Sequence, residues 1–335
     1  RFPFLKIWVM ITATKLEVKS YDAKDYSELL STDKLTDSDT LLDTLAQLDT
    51  KLKKRAKSKY FTQFVSSHLA DLDSPLRQYY WNAWHCNDTL IQTGEKVVGK
   101  YCNSRICNVC NRIRTAKMIN GYLPSIEAMG TPKFVTLTIP NVKGNDLRQT
   151  IELMQKTFLK IMLRLKKGKK KYAGIRKLEI TYNAIEDTFH PHFHLIVNDL
   201  QTSEAIKQMW LEYYIDAKHY LQDIRDVDKG SMVELFKYTT KVVAKDLNGI
   251  QAIHLPAIDI IMQSTRRKRI IQPFGSIRKQ VSEDIDLLQS DTYEGLPEYN
   301  SMIWEWYKED WINHYGEVLT GYQSSDALAQ LRIYR

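Results

Sequence analysis

An α+β protein built on an antiparallel sheet is what this sequence predicts, on three observations. Residues 131–139, 175–183 and 192–197 are short runs rich in β-branched, aromatic and apolar residues, and the last of them alternates apolar with polar side chains. The second and third runs are separated by so few residues that they suit an antiparallel hairpin. Around them lie stretches with apolar residues three and four apart, the spacing of amphipathic helices, so helices flank the strands between about 130 and 250.

Taken in order, residues 1–75 read as a polar, helical region without an assigned role. They are Ser/Thr/Asp-rich around 31–50 and Lys-rich at 51–59. Residues 76–125 hold all four cysteines and the aromatics Tyr79, Tyr80, Trp81 and Trp84. The first strand, 131–139, carries Phe134, Val135, Leu137 and Ile139 among threonines. A helix follows with Asp146 as N-cap and an apolar stripe of Leu147, Ile151, Met154, Phe158, Ile161 and Leu165, ending in lysines at Gly168. Strands 175–183 and 192–197 flank a turn at 186–188, and helices are expected at 203–219 and 231–245. Residues 251–335 read as a basic and aromatic helical region. In it, Trp304, Tyr307, Trp311 and Tyr315 recur at helical spacing, better suited to packing than to base stacking.

Composition narrows the function. A content of 43% hydrophobic and 26% charged residues is ordinary for a globular chain. No apolar run approaches the length of a spanning helix, and the apolar residues 1–11 are broken by Lys6. Neither a membrane nor an export signal is expected, and a cytoplasmic location is. The net charge of +8 favours a polyanionic partner, and the cations cluster. Residues 160–171 hold seven Lys or Arg, including Lys166, Lys167, Lys169, Lys170 and Lys171; Arg266, Arg267, Lys268 and Arg269 are uninterrupted. One such run is commonly a solvated loop. Two, on a basic chain, point to phosphate contacts with nucleic acid.

The sharpest chemistry lies at His190-Pro-His-Phe-His-Leu-Ile-Val197. His192 and His194 are two apart on a strand, so both imidazoles point to one face, with backbones roughly 7 Å apart. Phe193, Leu195 and Val197 take the other face. With the turn near residue 187, Glu179 opposes the vicinity of Leu195, within a residue or two of His194. It is the third ligand if its side chain shares that face. Two imidazoles and a carboxylate suit a divalent ion such as Mg²⁺ or Mn²⁺ with open positions. Taken singly, each of these residues reads better as an ordinary polar strand position.

On a helix through 231–245, Glu234, Tyr238 and Lys241 share one face. A nearby cation, Lys241 or the metal, favours the phenolate of Tyr238, and Glu234 one turn away can act as general base. An ordinary amphipathic helix with a surface Glu–Lys pair gives the same spacing. Cys86, Cys102, Cys107 and Cys110 lie within 25 residues. Cys107-x₂-Cys110 has knuckle spacing, and Cys102 and Cys86 complete a four-thiolate structural Zn²⁺ site, with His85 as the competing fourth ligand and four buried thiols as the metal-free alternative.

In this order, Phe-Val-Thr-Leu-Thr (134–138), Leu-Glu-Ile-Thr-Tyr-Asn (178–183), His-Pro-His-Phe-His-Leu-Ile (190–196) and Glu-x-x-x-Tyr (234–238) resemble the plasmid rolling-circle replication initiators. These form the branch of the HUH endonuclease superfamily found on small plasmids of Gram-positive bacteria. The cysteine segment at 101–112 resembles the element that precedes the first motif in that branch. Coverage runs over 86–245, with a looser echo at 267–279 and in the Trp-rich tail. Asn108 departs from the family's proline, and the first seventy residues match none of its pattern.

The resemblance implies an HUH nuclease domain over 126–250, with His192, His194 and Glu179 holding the divalent ion. It implies Tyr238 as the nucleophile on a scissile phosphodiester at the double-strand origin, giving a 5′-phosphotyrosyl link and a free 3′-OH primer. Glu234 would activate a water or assist a second transfer to end the round. His190, on the same face, would be a supporting or DNA contact. Implied partners are origin DNA, single-stranded or hairpin-extruded with flanking duplex, and a host helicase with the replication machinery; a homodimer is one assembly it allows. A relaxase or transposase of a mobile element shares the chemistry. A non-enzymatic, zinc-stabilised DNA-binding protein shares only the cysteines and the charge. Motif order and the cysteine element favour replication.

Overall fold

The computed structural model describes residues 39–94, 96–168, 171–237, 243–245, 251–279, 301–324 and 331–335. Helix α1 (Asp39–Ala70) and α2 (Arg77–Trp84) precede the hairpin β1 (Thr89–Thr93) and β2 (Lys96–Gly99). Then come α3 (Asn108–Glu127), β3 (Lys133–Thr138), α4 (Gly144–Lys167), β4 (Ala173–Asn183), β5 (Thr188–Val197) and α5 (Leu200–Tyr213). Next are β6 (Asp223–Asp226), α6 (Lys229–Phe236), β7 (Val243–Lys245), β8 (Gln251–His254) and α7 (Leu255–Thr265). Strands β9 (Ile271–Gly275), β10 (Met302–Tyr307), β11 (Asp310–Asn313) and β12 (Arg332–Tyr334) follow. The expected α+β class holds.

The central sheet has the order β6-β3-β5-β4-β9, antiparallel throughout. Period-two alternation gives it two unlike faces. Phe193, Leu195 and Val197 of β5, with Val135, Leu137 and Leu178, pack under Leu147, Ile151, Met154, Phe158 and Ile161 of α4 and Ile206 and Trp210 of α5. The expected stripe of the long helix is thus the one that buries. Its N-cap is Lys143, while Asp146 lies in the first turn, where its charge suits the helix dipole. On the other face, Phe134, Ile175 and Ile196 pack against Tyr122 and Ile126 of α3 and Leu235 and Phe236 of α6. Those helices cover only the Ile196 end. Toward the His190 end the face carries polar side chains.

Several expectations change. Strands β4 and β5 close between Asn183 and Thr188, with Asp187 at φ +48°, so Glu179 pairs with His192 and not with the vicinity of Leu195. Directly opposed residues share a face, so this register puts Glu179 among the histidines. The helix expected at 231–245 spans Lys229–Phe236; Lys237 is already extended (φ −61°, ψ 106°), and Val243–Lys245 is a strand. Val243 is β-branched and a poor helix former, which suits the strand found at 243–245. Tyr238 and Lys241 lie outside the described residues.

The tail differs most. Where a helix was expected, Met302–Tyr307 and Asp310–Asn313 form a hairpin with Lys308 at φ +57°, and β10 pairs antiparallel with β1. Trp304 and Trp311 are buried there with Leu90, and the Trp311 indole donates to the Asn87 carbonyl at 2.8 Å. Tyr307 and Tyr315 remain exposed. Strand spacing with partners some two hundred residues away imitated a helical stripe. Likewise β9, in the same expected helical region, joins the central sheet, and the helix expected at 203–219 ends at Tyr213.

Candidate metal centre and nucleic-acid face

On the polar face of the sheet, one donor atom each from Glu179, His192 and His194 lies within 4.8 Å of the others. Backbone and neighbours orient the rings. The Nδ1 of His192 donates to the His190 carbonyl at 3.0 Å, which fixes that tautomer and puts the ring's acceptor lone pair on Nε2. The Nδ1 of His194 lies 3.2 Å from the Thr136 hydroxyl, and its ring stacks on Phe134 with centroids 5.3 Å apart. His190 bonds Asn141 at 2.9 Å, and burial holds its imidazole below the ordinary value.

Two carboxylates flank His194 Nε2, Glu179 at 3.6 Å and Glu234 at 3.4 Å. Each is held by a cation. Lys177 Nζ donates to Glu179 at 2.8 Å and to the Glu234 backbone carbonyl at 2.7 Å, so it ties the end of α6 to β4. Arg225 bonds Glu234 at 2.9 Å while lying 4.6 Å over the Phe134 ring. Lys177 and Glu179 are nearly buried, at 5% and 10% side-chain exposure, whereas Glu234 is 41% exposed. The glutamate that faces solvent is therefore the one suited to meeting a water or a proton.

Sequence reasoning missed Lys177 and Arg225. Lys177 had a legible signal, standing two positions before Glu179 on the same strand face. Arg225 had none, because β6 adds to the sheet from a distant stretch. Helix α6 is set by a capping box in which the Asp228 carboxylate accepts from the Ser231 backbone N–H. Those bonds hold the Asp228 carboxyl below its ordinary range.

Cys86, Cys102, Cys107 and Cys110 bring their sulfurs within 4.8 Å of one another, with Cys86–Cys110 at 3.6 Å and Cys102–Cys110 at 3.7 Å. Tetrahedral thiolates around zinc, at ~2.3 Å bonds, stand about 3.8 Å apart, so the donor set fits Zn²⁺. Cys107 caps α3, its sulfur accepting from the Cys110 N–H, where the helix dipole favours thiolate. The other three thiols hydrogen-bond to Cys86 and lower its pKa, while burial raises that of Cys107. His85 turns away to Asp88 at 2.6 Å and is not among the four clustered donors.

The basic runs separate. Lys166 and Lys167 are exposed in the last turn of α4 and Lys171 is exposed just before β4, whose first residue lies about 20 Å along the strand from Glu179. Lys169 and Lys170 lie outside the described residues. Arg266, Arg267 and Arg269 are exposed, whereas Lys268 pairs with Glu152 at 2.6 Å. Their turn sits beside the metal-ligand strand, since the Ile270 carbonyl accepts from Leu178 N–H at 2.8 Å. Arg105, between two clustered cysteines, donates to the Thr265 carbonyl at 2.7 Å and to that of Lys268. The cysteine loop thus anchors this basic turn.

The profile of a family described as "Replication protein" matches residues 95–310. A "Protein rep" of Staphylococcus aureus is 28% identical over 214 residues, covering 56% of this chain and 91% of that protein. A "Protein rep" of Streptococcus pneumoniae serotype 2 is 24% identical over 211 residues, covering 56% of this chain and 64% of that protein. For a "Protein rep" of Bacillus amyloliquefaciens the figures are 27% over 226 residues, 56% and 65%, so the chain spans just under two thirds of these two relatives. No solved structure matches. Among the described residues, no helix is long and apolar enough to cross a membrane. Because the family match covers well over half of the chain and takes in the whole Glu179–His192–His194 face, the chain belongs to this replication-protein family, the plasmid rolling-circle initiators that its motif order resembles.

Proposed function

We propose that this chain nicks one strand of origin DNA, with Tyr238 as nucleophile and the Glu179–His192–His194 face as the metal centre. The observation that carries this is the convergence of those three donors beside Glu234, with a cation bound to each carboxylate. A divalent ion held there, Mg²⁺ or Mn²⁺, would polarise a phosphate oxygen and stabilise the charge that develops on it. His192 and His194 would hold it through ring nitrogens already oriented by the His190 carbonyl and Thr136.

The Tyr238 phenol loses its proton and its oxygen attacks phosphorus. The bond to the 3′ oxygen breaks, and that oxygen takes up a proton to become the 3′-OH primer. The 5′ phosphate stays on tyrosine. Lys237, next to Tyr238 in sequence, and Lys241 favour the phenolate and steer the phosphate. Glu234, half-exposed and oriented by Arg225, serves as general base toward a water or a second hydroxyl that releases the tyrosine and ends the round. A structural zinc at the four cysteines supports the basic turn. Lys166, Lys167, Lys169, Lys170 and Lys171 contact flanking phosphates, and Arg266, Arg267, Lys268 and Arg269 those nearer the nick.

Labelled single-stranded oligonucleotides from the encoding replicon, incubated with Mg²⁺ or Mn²⁺, test this. The native chain should yield a nicked product and a protease-sensitive shifted band. Tyr238→Phe should yield neither while still binding DNA. Full nicking by that variant would overturn the assignment of the nucleophile, and absence of nicking by the native chain would favour a non-enzymatic zinc-stabilised binder.

A further inference from the structure

Strand β9 covers β4 only from Ala173 to Lys177, and the last bond on that side runs from Leu178 N–H to the Ile270 carbonyl. Beyond it, among the described residues, no strand pairs with that edge of β4. A small cleft, open to solvent, lies there. Its walls are aliphatic, from Leu178 and Ile180 of β4, Ile261 and Met262 of α7, and Ile270 and Ile271. Its polar lining is Arg105, Lys177, Lys237 and Thr265, with Glu179 as the one acid.

We propose that this cleft receives one unstacked nucleobase of the strand being cut, within a nucleotide or two of the scissile phosphate. This rests on the nicking reading above and adds the subsite that fixes the strand's register. Three observations converge. Aliphatic walls suit the face of a base and offer nothing to a solvated anion alone. The positive charge of Arg105, Lys177 and Lys237, held in place by their own partners, sets a field that favours a polyanionic strand beside the cleft. The position is dictated by the lining itself, because one wall carries Glu179, a donor of the Glu179–His192–His194 cluster, and another carries Lys237, the residue before Tyr238. A base held between them would bring its neighbouring phosphate to the metal face. An unstacked base requires single-stranded or extruded substrate, the form from which a base can leave its stack at little cost.

The test steps a single abasic site through the positions flanking the nick, reading affinity by fluorescence anisotropy and product on a gel. One position should lose about fivefold to tenfold in affinity, the low end of what a single stacked base contributes, with its neighbours unaffected. Ile270→Trp, which fills the cleft from its half-buried rim, should lower affinity for intact strand similarly. It should leave affinity for the strand abasic at that position unchanged. A flat abasic profile would overturn the proposal, as would an Ile270→Trp loss that is equal on intact and abasic strands. So would competition by a free deoxynucleoside monophosphate as strong as by the strand, which would make the cleft a small-nucleotide site. If Ile270→Trp does not fold, the abasic profile on the native chain decides alone. Failure of the nicking reading shows separately, as no product from any strand whatever the affinity profile.

Discussion

Replacing Lys177 by methionine should destabilise the protein strongly, and Mn²⁺ should return part of what is lost. Its ammonium lies 2.8 Å from the Glu179 carboxylate with both side chains nearly buried. At an effective dielectric of ~20, that separation is worth about 6 kcal/mol of gross attraction, most of it offset by the desolvation of the two charges. Truncating one partner is different, because the carboxylate stays buried beside His194 without its cation and the Glu234 carbonyl loses a donor. The expected cost is about 3–5 kcal/mol. A divalent ion at the Glu179–His192–His194 face replaces the missing charge, and in the variant it no longer competes with Lys177 for Glu179. Both forms are stabilised by ion binding, so the gap closes by the difference in their affinities, about 1.4 kcal/mol for each tenfold tighter binding to the variant. The gap between native chain and variant should therefore narrow with Mn²⁺, read by urea unfolding followed by far-UV circular dichroism at constant zinc. A gap below about 1 kcal/mol without Mn²⁺, or one that Mn²⁺ leaves unchanged, would refute the reasoning.

Asp228→Ala should cost about 1 kcal/mol by removing the cap of α6, and should lower nicking by loosening Glu234. The Asp228 carboxyl is held below its ordinary value, so its contribution is present above the unfolded pKa of about 4 and is lost as pH falls through the lower folded value. A pH series of native and Asp228→Ala unfolding should converge in that acid window, and parallel curves there would remove Asp228 as the cause. Cys110→Ser should abolish stoichiometric zinc after dialysis, while His85→Ala should retain it; zinc loss in the latter would return His85 to the ligand set. Changing Arg266, Arg267 and Arg269 together to glutamine should reduce the salt slope of single-stranded DNA binding by about 0.7 for each phosphate no longer neutralised. An unchanged slope would remove that turn from the DNA face.

The histidine pair was legible because strand periodicity is a local, steric property: Phe193, Leu195 and Val197 need the core, so His192 and His194 must face away from it. Glu179 was legible as a candidate but not in register, since a shift of a few residues in the turn decides which residue it opposes and the loop's composition does not state its length. The stripe of α4 was readable for the same reason as the histidines. The tail was not, because Trp304, Tyr307, Trp311 and Tyr315 fit a three- and four-residue spacing whether they line a helix or alternate through a hairpin. Their true partner, β1, is some two hundred residues away. Lys177 was overlooked because an apolar strand with one lysine looks like an edge position until a helix end is found above it.

The sequence alone determined the chemistry available to this protein: which residues could bind metal, which could attack or accept a proton, and a net charge of +8 that favours a polyanionic partner. Those follow from residue type, from spacing within one element and from net charge, all of which survive any arrangement of the chain. Only the tertiary structure decided how that chemistry is assembled. The pairing of Glu179 with His192, the cations Lys177 and Arg225 behind the two glutamates, the Arg105 fork on the basic turn and the cleft beside β4 all join residues from separate elements. Such contacts are fixed by packing and long-range pairing, whose free energy belongs to the whole fold and leaves no trace in any short stretch of sequence.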